Sequence, residues 1–211
     1  MDSRREKAAD DPQSDGESLD MTQMTQHDSD AALIESSLRR PDCFAALFHR
    51  HHASIHGYVE RRLSRPLADD IAAETFLIAF DRRDGYDLSR PDARPWLYGI
   101  ASNLISRHHR TEIRQYRALA RTEVEENGED HADRVADSLD ALATRGRLAA
   151  ALAELPAADR DVLLLVAWAE LTSDEAGRAL GIPAGTVRSR LHRARTKIRA
   201  VLDPALTRKE R

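Results

Sequence analysis

Between Ala184 and Arg211 the chain carries nine basic side chains against two acidic ones. Arg188, Ser189, His192, Arg193 and Arg195 fall at helical spacing opposite Val187, Leu191, Ala194 and Ile198. An arginine can read a guanine edge through two parallel hydrogen bonds and can also hold a phosphate, so this face has the chemistry to read duplex DNA. A second cationic stretch runs from Arg94 to Arg121, with six basic residues against the single Glu112. Its members after Leu104 are Arg107, His108, His109, Arg110, Arg114, Arg117 and Arg121. Such a run is either a solvated helix end whose cations suit the helix dipole, or a row of guanidinium groups that neutralises successive phosphates. Tyr86, Trp96 and Tyr98 lie nearby, and an exposed aromatic ring beside arginine is what a single-strand binder uses to stack bases. Trp96, at helical spacing, reads as core, which leaves Tyr86 in its loop as the better stacking candidate.

Other chemistries find less support. His49, His52 and His56 stand at i, i+3 and i+7 on one helical face, but no cysteine or carboxylate completes a ligand set, so they read as surface or interface residues and no metal is expected. Cys43 is the single cysteine, lies in an apolar run and excludes an internal disulfide. There is no glycine-rich phosphate loop and no H-E-x-x-H; the one close carboxylate trio is Asp69, Asp70 and Glu74. The expectation is a binding protein without catalysis or cofactor.

The elements that must position these faces follow from charge and periodicity. The chain has 211 residues, 32 basic against 36 acidic for a net charge of −4, and is 41% apolar. Its longest apolar run, Val162 to Trp168, is far short of the ~18 residues that span a bilayer, so no membrane insertion is expected. The first thirty residues hold three basic and nine acidic side chains and no apolar centre, which fits a disordered acidic tail and not a signal peptide. Residues 122–140 hold one basic and eight acidic side chains around Gly128, and read as a solvated linker. The −4 total therefore averages two acidic segments over two basic faces. The expected fold class is all-α: two small helical domains joined by a flexible acidic linker. The expected boundaries are a tail over 1–28, a first unit over 29–118, a linker over 119–140, a second unit over 141–205 and a basic end over 206–211.

In the first unit, Phe44, Leu47, Phe48, Ile55, Tyr58, Val59 and Leu63 predict a helix over 42–63. A second runs from about Leu67 to Phe80, and a third starts at Pro95, with Trp96, Leu97, Ile100, Ala101 and Leu104 on one face, and continues to Arg121. Residues 81–94 between them, with Gly85 and Pro91, form a loop that is long for a small bundle. In the second unit, residues 148–155 form a helix ended by Pro156, and 159–171 a very apolar one. Thr172-Ser173-Asp174-Glu175 is a capping box, its helix ends at Leu180-Gly181, Ile182-Pro183 turns, and the last helix runs from about Ala184 to Leu202. Gly177, Gly181 and Val187 supply the small residue, the turn glycine and the aliphatic anchor of a helix-turn-helix; the bland reading is a helical hairpin with a charged outer face.

With these residues in place the chain resembles the extracytoplasmic-function (ECF) sigma factors of the sigma-70 family, over about residues 30–118 and 145–203. Leu155-Pro156, Arg160 and the run from Gly181-Ile182-Pro183 through Thr186, Val187, Arg188, Ser189, Leu191, His192 and Arg193 to Arg195 resemble region 4. Asp70-Ile71, Glu74-Thr75-Phe76 and Ala79-Phe80 resemble region 2.2, and Trp96 to Leu104 resembles regions 2.3 and 2.4. The resemblance implies that Asp70, Glu74 and Phe76 dock on core RNA polymerase, and that Asn103 and the Tyr86 loop hold the flipped base and melted strand of the −10 element; Arg107 and Arg110 of the cationic run are expected to add phosphate-binding cations beside that reader. It implies that Thr186, Arg188, Ser189, His192 and Arg193 contact the −35 duplex, and that the linker threads the polymerase. It also implies promoter DNA as ligand, a cytoplasmic location and, for many relatives, an anti-sigma partner. Ala73 stands where the family usually has Gln, and Arg107 where an acidic residue is common. A helix-turn-helix regulator that binds duplex DNA alone would explain the second unit but leave Trp96 to Asn103 without a purpose. The masking charges further suggest that the acidic segments cover the basic faces of the free protein.

Overall fold

The computed structural model describes residues 28–125 and 132–202. Every regular element there is helical, and no strand occurs among the described residues. The acidic tail up to residue 27, the linker centre at 126–131 and the basic end from 203 lie outside the described residues, as does the masking of basic faces by those segments.

The chain opens with α1 (Asp30–Arg39), whose N-cap Ser29 accepts a hydrogen bond from the Ala32 amide and whose Leu33 and Ile34 are buried. A 3₁₀ turn (Pro41–Cys43) leads into α2 (Phe44–Glu60), which buries Phe44, Leu47, Ile55, Tyr58 and Val59 along one stripe. Helix α3 (Arg65–Asp81) starts with proline in its first turn, where the missing N–H has no partner to lose, and buries Ile71, Ala72, Phe76 and Ala79. After a short 3₁₀ turn (Arg83–Gly85), α4 (Arg94–Arg107) again carries proline in its first turn and buries Leu97, Ile100, Ala101 and Leu104.

The expected third helix does not run unbroken to Arg121. It stops at His108 (φ −101°, ψ 19°) and restarts as α5 (His109–Glu125). Beyond the break the buried face of Tyr98, Ser102 and Ile105 continues to Glu112 and Tyr116. Arg107, Arg110, Arg114, Arg117 and Arg121 are thereby left outside. Helix α5 enters the acidic segment as far as Glu125, and α6 (Ala132–Glu154) leaves it from Ala132, so the helix expected over 148–155 is the end of a longer one. The two helices pack on each other.

Helices α7 (Ala157–Ala167), α8 (Ser173–Leu180) and α9 (Ala184–Leu202) complete the second unit around Val162, Leu165, Ala176, Val187 and Leu191. The units are packed on each other. Gly99 of α4 faces α8 so closely that a Cβ there would lie 2.5 Å from the Ala179 carbonyl oxygen, closer than carbon and oxygen can approach, so only glycine fits. Beside this contact three charged side chains are fully buried: Arg62 and Glu112 at 1% exposure and Arg160 at 0%. Arg62 Nε donates to Glu112 Oε1 at 2.7 Å, its Nη2 to Asp161 Oδ1 at 2.5 Å and its Nη1 to the Tyr58 hydroxyl at 2.7 Å. Arg160 Nη2 donates to Glu112 Oε2 at 3.1 Å, and its Nη1 donates to the carbonyls of Leu152 and Leu155, both at 3.1 Å. Burial works against the Arg62 charge, but Tyr58, Glu112 and Asp161 outweigh it and hold the guanidinium well above its ordinary range. Glu112 is thus the anion that two arginines from the two units share.

Candidate nucleic-acid interface

The second unit builds its outer face from local signals. Thr172 and Glu175 form the reciprocal cap: the Glu175 amide donates to Thr172 Oγ1 at 3.3 Å, and the Thr172 amide to Glu175 Oε2 at 2.8 Å. These bonds hold the Glu175 carboxyl below its ordinary range. Gly181 closes α8 in the left-handed conformation (φ 64°), which favours glycine. Within this turn the Ile182 amide donates to the Gly177 carbonyl at 2.9 Å, and a Cβ on Gly177 would lie 2.8 Å from the Ile182 oxygen. The chain can therefore fold back tightly, and Val187, Leu191 and Ala194 of α9 turn inward.

The opposite face of α9 presents Arg188, Ser189, His192, Arg193 and Arg195 to solvent, with Thr186 half-buried at its start. They are not equivalent. Arg193 is clamped by Asp159 of α7, its Nε 3.2 Å from Oδ2 and its Nη2 2.9 Å from Oδ1, and this pairing holds its guanidinium above the ordinary range. Ser189 Oγ donates to the Thr186 carbonyl at 3.0 Å. Arg188 and His192 make no hydrogen bond or ion pair among the described residues, which leaves them free to meet a groove.

The first unit offers a different surface. Tyr86 is half-buried, its ring 5.0 Å from that of Trp96, and its hydroxyl donates to the carbonyls of Arg90 at 2.8 Å and Asp92 at 3.2 Å. Burial, with Asp30, Asp92 and Asp87 nearby, pushes that hydroxyl up to about 12. Tyr86 therefore closes its own loop. Asn103 is exposed on α4, Arg107 follows on the same helix with Nη1 3.7 Å from Glu74 Oε1, and Arg110 is exposed at the start of α5. On α3, Asp70 and Glu74 are exposed, but Phe76, expected beside them on the polymerase-facing side, is only 4% exposed. It packs at ring distances of 5.0 Å on Phe48 and 6.1 Å on His52, because its helical phase points into the bundle. The apolar side chain presented next to the two carboxylates is Leu77, 61% exposed.

The three histidines stay on one side of α2: His49 and His52 pack on Phe48, the His52 ring lies 5.8 Å from that of His56, and His56 Nε2 sits 2.8 Å from Asp69 Oδ1. No cluster of three or more metal-ligating side chains occurs among the described residues. No helix among the described residues is long and apolar enough to cross a membrane. Sequence reasoning missed Asp159, which fixes Arg193, and the Arg62–Glu112–Arg160–Asp161 group. It also missed α1, although Ser29-Asp30 before Ala31-Ala32-Leu33-Ile34 is a cap ahead of an apolar pair.

Two family descriptions fit the chain in order: Sigma-70 region 2 over residues 47–115, and Sigma-70, region 4 over residues 145–198. The ECF RNA polymerase sigma factor SigL of Mycobacterium tuberculosis is 32% identical over 177 residues, spanning 83% of this chain and 94% of SigL. The ECF RNA polymerase sigma factor SigW of Bacillus subtilis is 33% identical over 141 residues, 64% of this chain and 75% of SigW. Among solved structures, CnrH in complex with the cytosolic domain of CnrY shares the fold with a TM-score of 0.59 at 24% identity, over 84% of this chain and 99% of CnrH. With both regions present in order, flanking helices and all, the chain belongs to the ECF sigma factors of the sigma-70 family and directs promoter-specific transcription initiation with RNA polymerase.

Proposed function

We propose that the two units, 29–118 and 141–205, divide promoter recognition between duplex and single strand. Helix α9 enters the major groove of the −35 element, with Arg188 and His192 reading base edges and Thr186, Ser189 and Arg193 steadying the backbone. In the first unit Asn103 and the loop around Tyr86 receive the displaced −10 base, while Arg107 and Arg110 hold its phosphates. Asp70, Glu74 and Leu77 on α3 supply the face that docks on core polymerase, in the cytoplasm. The observation that carries this reading is the outer face of α9, where Arg188 and His192 stand unengaged beside an Arg193 already held by Asp159.

The closed packing supports a further step. A compact body of this size is about 40 Å across, whereas elements centred at −35 and −10 lie ~25 base pairs apart, or about 85 Å at ~3.4 Å per pair. The Gly99–Ala179 contact must therefore open for both elements to be held at once. An anti-sigma protein, as the solved complexes of CnrH with CnrY and of RpoE with NepR suggest by likeness, would act by keeping the units together.

Run-off transcription with purified core polymerase tests the assignment. Arg188→Ala weakens −35 recognition by about 1–3 kcal/mol, the value of a good bidentate base contact. Arg193→Ala changes affinity with little change in sequence preference, because Asp159 already engages its guanidinium. Preference unchanged in Arg188→Ala and lost in Arg193→Ala would reverse the two roles.

A further inference from the structure

One carboxylate of the first unit has no part in these roles and is among the most heavily engaged side chains of the molecule. Asp30 opens α1, ahead of the residues that match region 2, and is 4% exposed. Its Oδ2 accepts the Ala93 amide at 2.8 Å and lies 2.8 Å from His51 Nε2, and its Oδ1 accepts Arg50 Nη1 at 2.7 Å. Its own amide donates to the Pro91 carbonyl at 3.0 Å, and Arg50 Nη1 also reaches the Asp28 carbonyl at 2.9 Å. One residue thus ties α1, α2 and the end of the 82–93 loop together.

That end matters because the loop's other bonds are mostly local to it: Asp87 accepts from Ser89 and Arg90, and Asp92 accepts the Arg94 amide at 2.8 Å, whereas Asp30 joins the loop to α1 and α2. Apart from the 3₁₀ turn at Arg83–Gly85 the segment has no regular structure, and Leu88 is 42% exposed. Inside the loop, Tyr86 bonds the carbonyls of Arg90 and Asp92 and leans on Trp96; at its end, Ala93 is the residue from which α4 starts. Ala93 is itself fully buried, so without the Asp30 carboxylate its amide would be a buried donor with no partner. Removing Asp30 leaves the apolar contacts of α2, α3 and α4 in place, so its loss falls first on the shape of the loop and on the start of α4.

We propose that Asp30 is a positioning residue for single-strand recognition: from outside region 2, it fixes the 82–93 loop and the first turn of α4 in the form that receives the displaced −10 base. This rests on the loop and Asn103 being the −10 reader. The experiment uses the full chain assembled with core polymerase. Its probe is a labelled single-stranded DNA selected by the wild-type holoenzyme from a random pool, compared with the same strand made abasic at its most discriminated position. Asp30→Ala lowers affinity for the intact strand about tenfold, as expected for one unpaired buried amide, and changes affinity for the abasic strand little, so the preference collapses. Asp30→Asn, which keeps an oxygen acceptor for the Ala93 amide, restores part of it. Binding of −35 duplex by the same holoenzymes is unchanged.

Tyr86→Ala is the control for the underlying reading. If Tyr86→Ala loses the preference and Asp30→Ala keeps it, the positioning role is wrong while the reader stands. If both keep it, the loop is not the reader and the proposal falls with it. Equal losses on the intact strand, the abasic strand and the −35 duplex would reduce Asp30 to general stability and overturn the proposal. Should Asp30→Ala not fold, Asp30→Asn carries the same comparison: a preference intact in Asp30→Asn and lost in Arg50→Ala, His51→Gln and Tyr86→Ala assigns positioning to the acceptor, and one intact in all but Tyr86→Ala overturns it.

Discussion

Within each unit the helices meet chiefly through apolar side chains, whereas the seam between the units shares that apolar core and also holds a buried ionic cluster. Leu97, Ile55 and Leu47 in the first unit and Val162, Leu165 and Val187 in the second are at or below 1% exposure with carbon on every side. At the seam, Glu112 sits between Arg62 and Arg160, and Arg61 lies over the Trp168 ring at 5.8 Å. Burying apolar area stabilises wherever shapes fit, but burying an ion pair gains little over leaving its members in water, and the pair is strong only while both charges stay matched. An interface of this kind is specific when closed and yet separates into folded halves whose charges rehydrate. Two readers acting ~85 Å apart, as proposed above, would need both properties.

The sharpest way to break the comparison is to remove the shared anion. Glu112→Ala leaves Arg62 and Arg160 buried without their common partner, a loss of about 3–5 kcal/mol from the closed form. With units that part as proposed, that loss appears as opening and not as unfolding. Leu97→Ala, costing about 2–5 kcal/mol in a core that cannot relieve it by opening, lowers the melting temperature of the first unit directly. Calorimetry alongside small-angle scattering separates the two: equal unfolding by both variants would erase the distinction between core and seam.

Acid probes the first unit without touching the seam by mutation. Burial would raise the Asp30 carboxyl, yet the hydrogen bonds from His51 and the Ala93 amide, with the nearby cations, hold it down at about 2. A carboxylate whose folded value is depressed contributes stability above its ordinary value near 3.8, and loses it as the pH falls through its folded value. Wild-type protein therefore loses about 2 kcal/mol from this group between about pH 4 and 2, and Asp30→Asn, read by chemical denaturation across that window, lacks this component. The smallest effect belongs to the second unit: Thr172→Ala removes half of the capping box at about 1 kcal/mol and leaves the first unit and the seam unchanged.

The same division decides what could be read from residues alone. The helix-turn-helix was legible because its determinants are local: a four-residue capping box, a glycine favoured by a left-handed φ, a proline after it and an apolar stripe at 187, 191 and 194. The outer face of α9 followed by elimination. The burial of Glu112 and Tyr116 was not legible, since Arg62 and Arg160, against which they lie, are remote from that run in sequence. Arg62 and Asp161 lie 99 residues apart, and nothing near Arg62 distinguishes it from the exposed Arg61 beside it. Phe76 and Leu77 both read as apolar positions of one helix, and only the structure separates them, with Phe76 buried and Leu77 exposed.

The two proposed readers form one closed body, with the Arg62–Glu112–Arg160 cluster at its seam, and are proposed to separate when the promoter is engaged. Spin labels at Ser106→Cys on α4 and Thr196→Cys on α9, both exposed, in a Cys43→Ser background would measure the distance between the units by pulsed electron resonance. The free chain should give one short distance, Glu112→Ala a broad and longer distribution, and the complex with core polymerase and promoter DNA a long one. A distance that stays short in the promoter complex, or one already long in the free wild-type chain, would contradict the account.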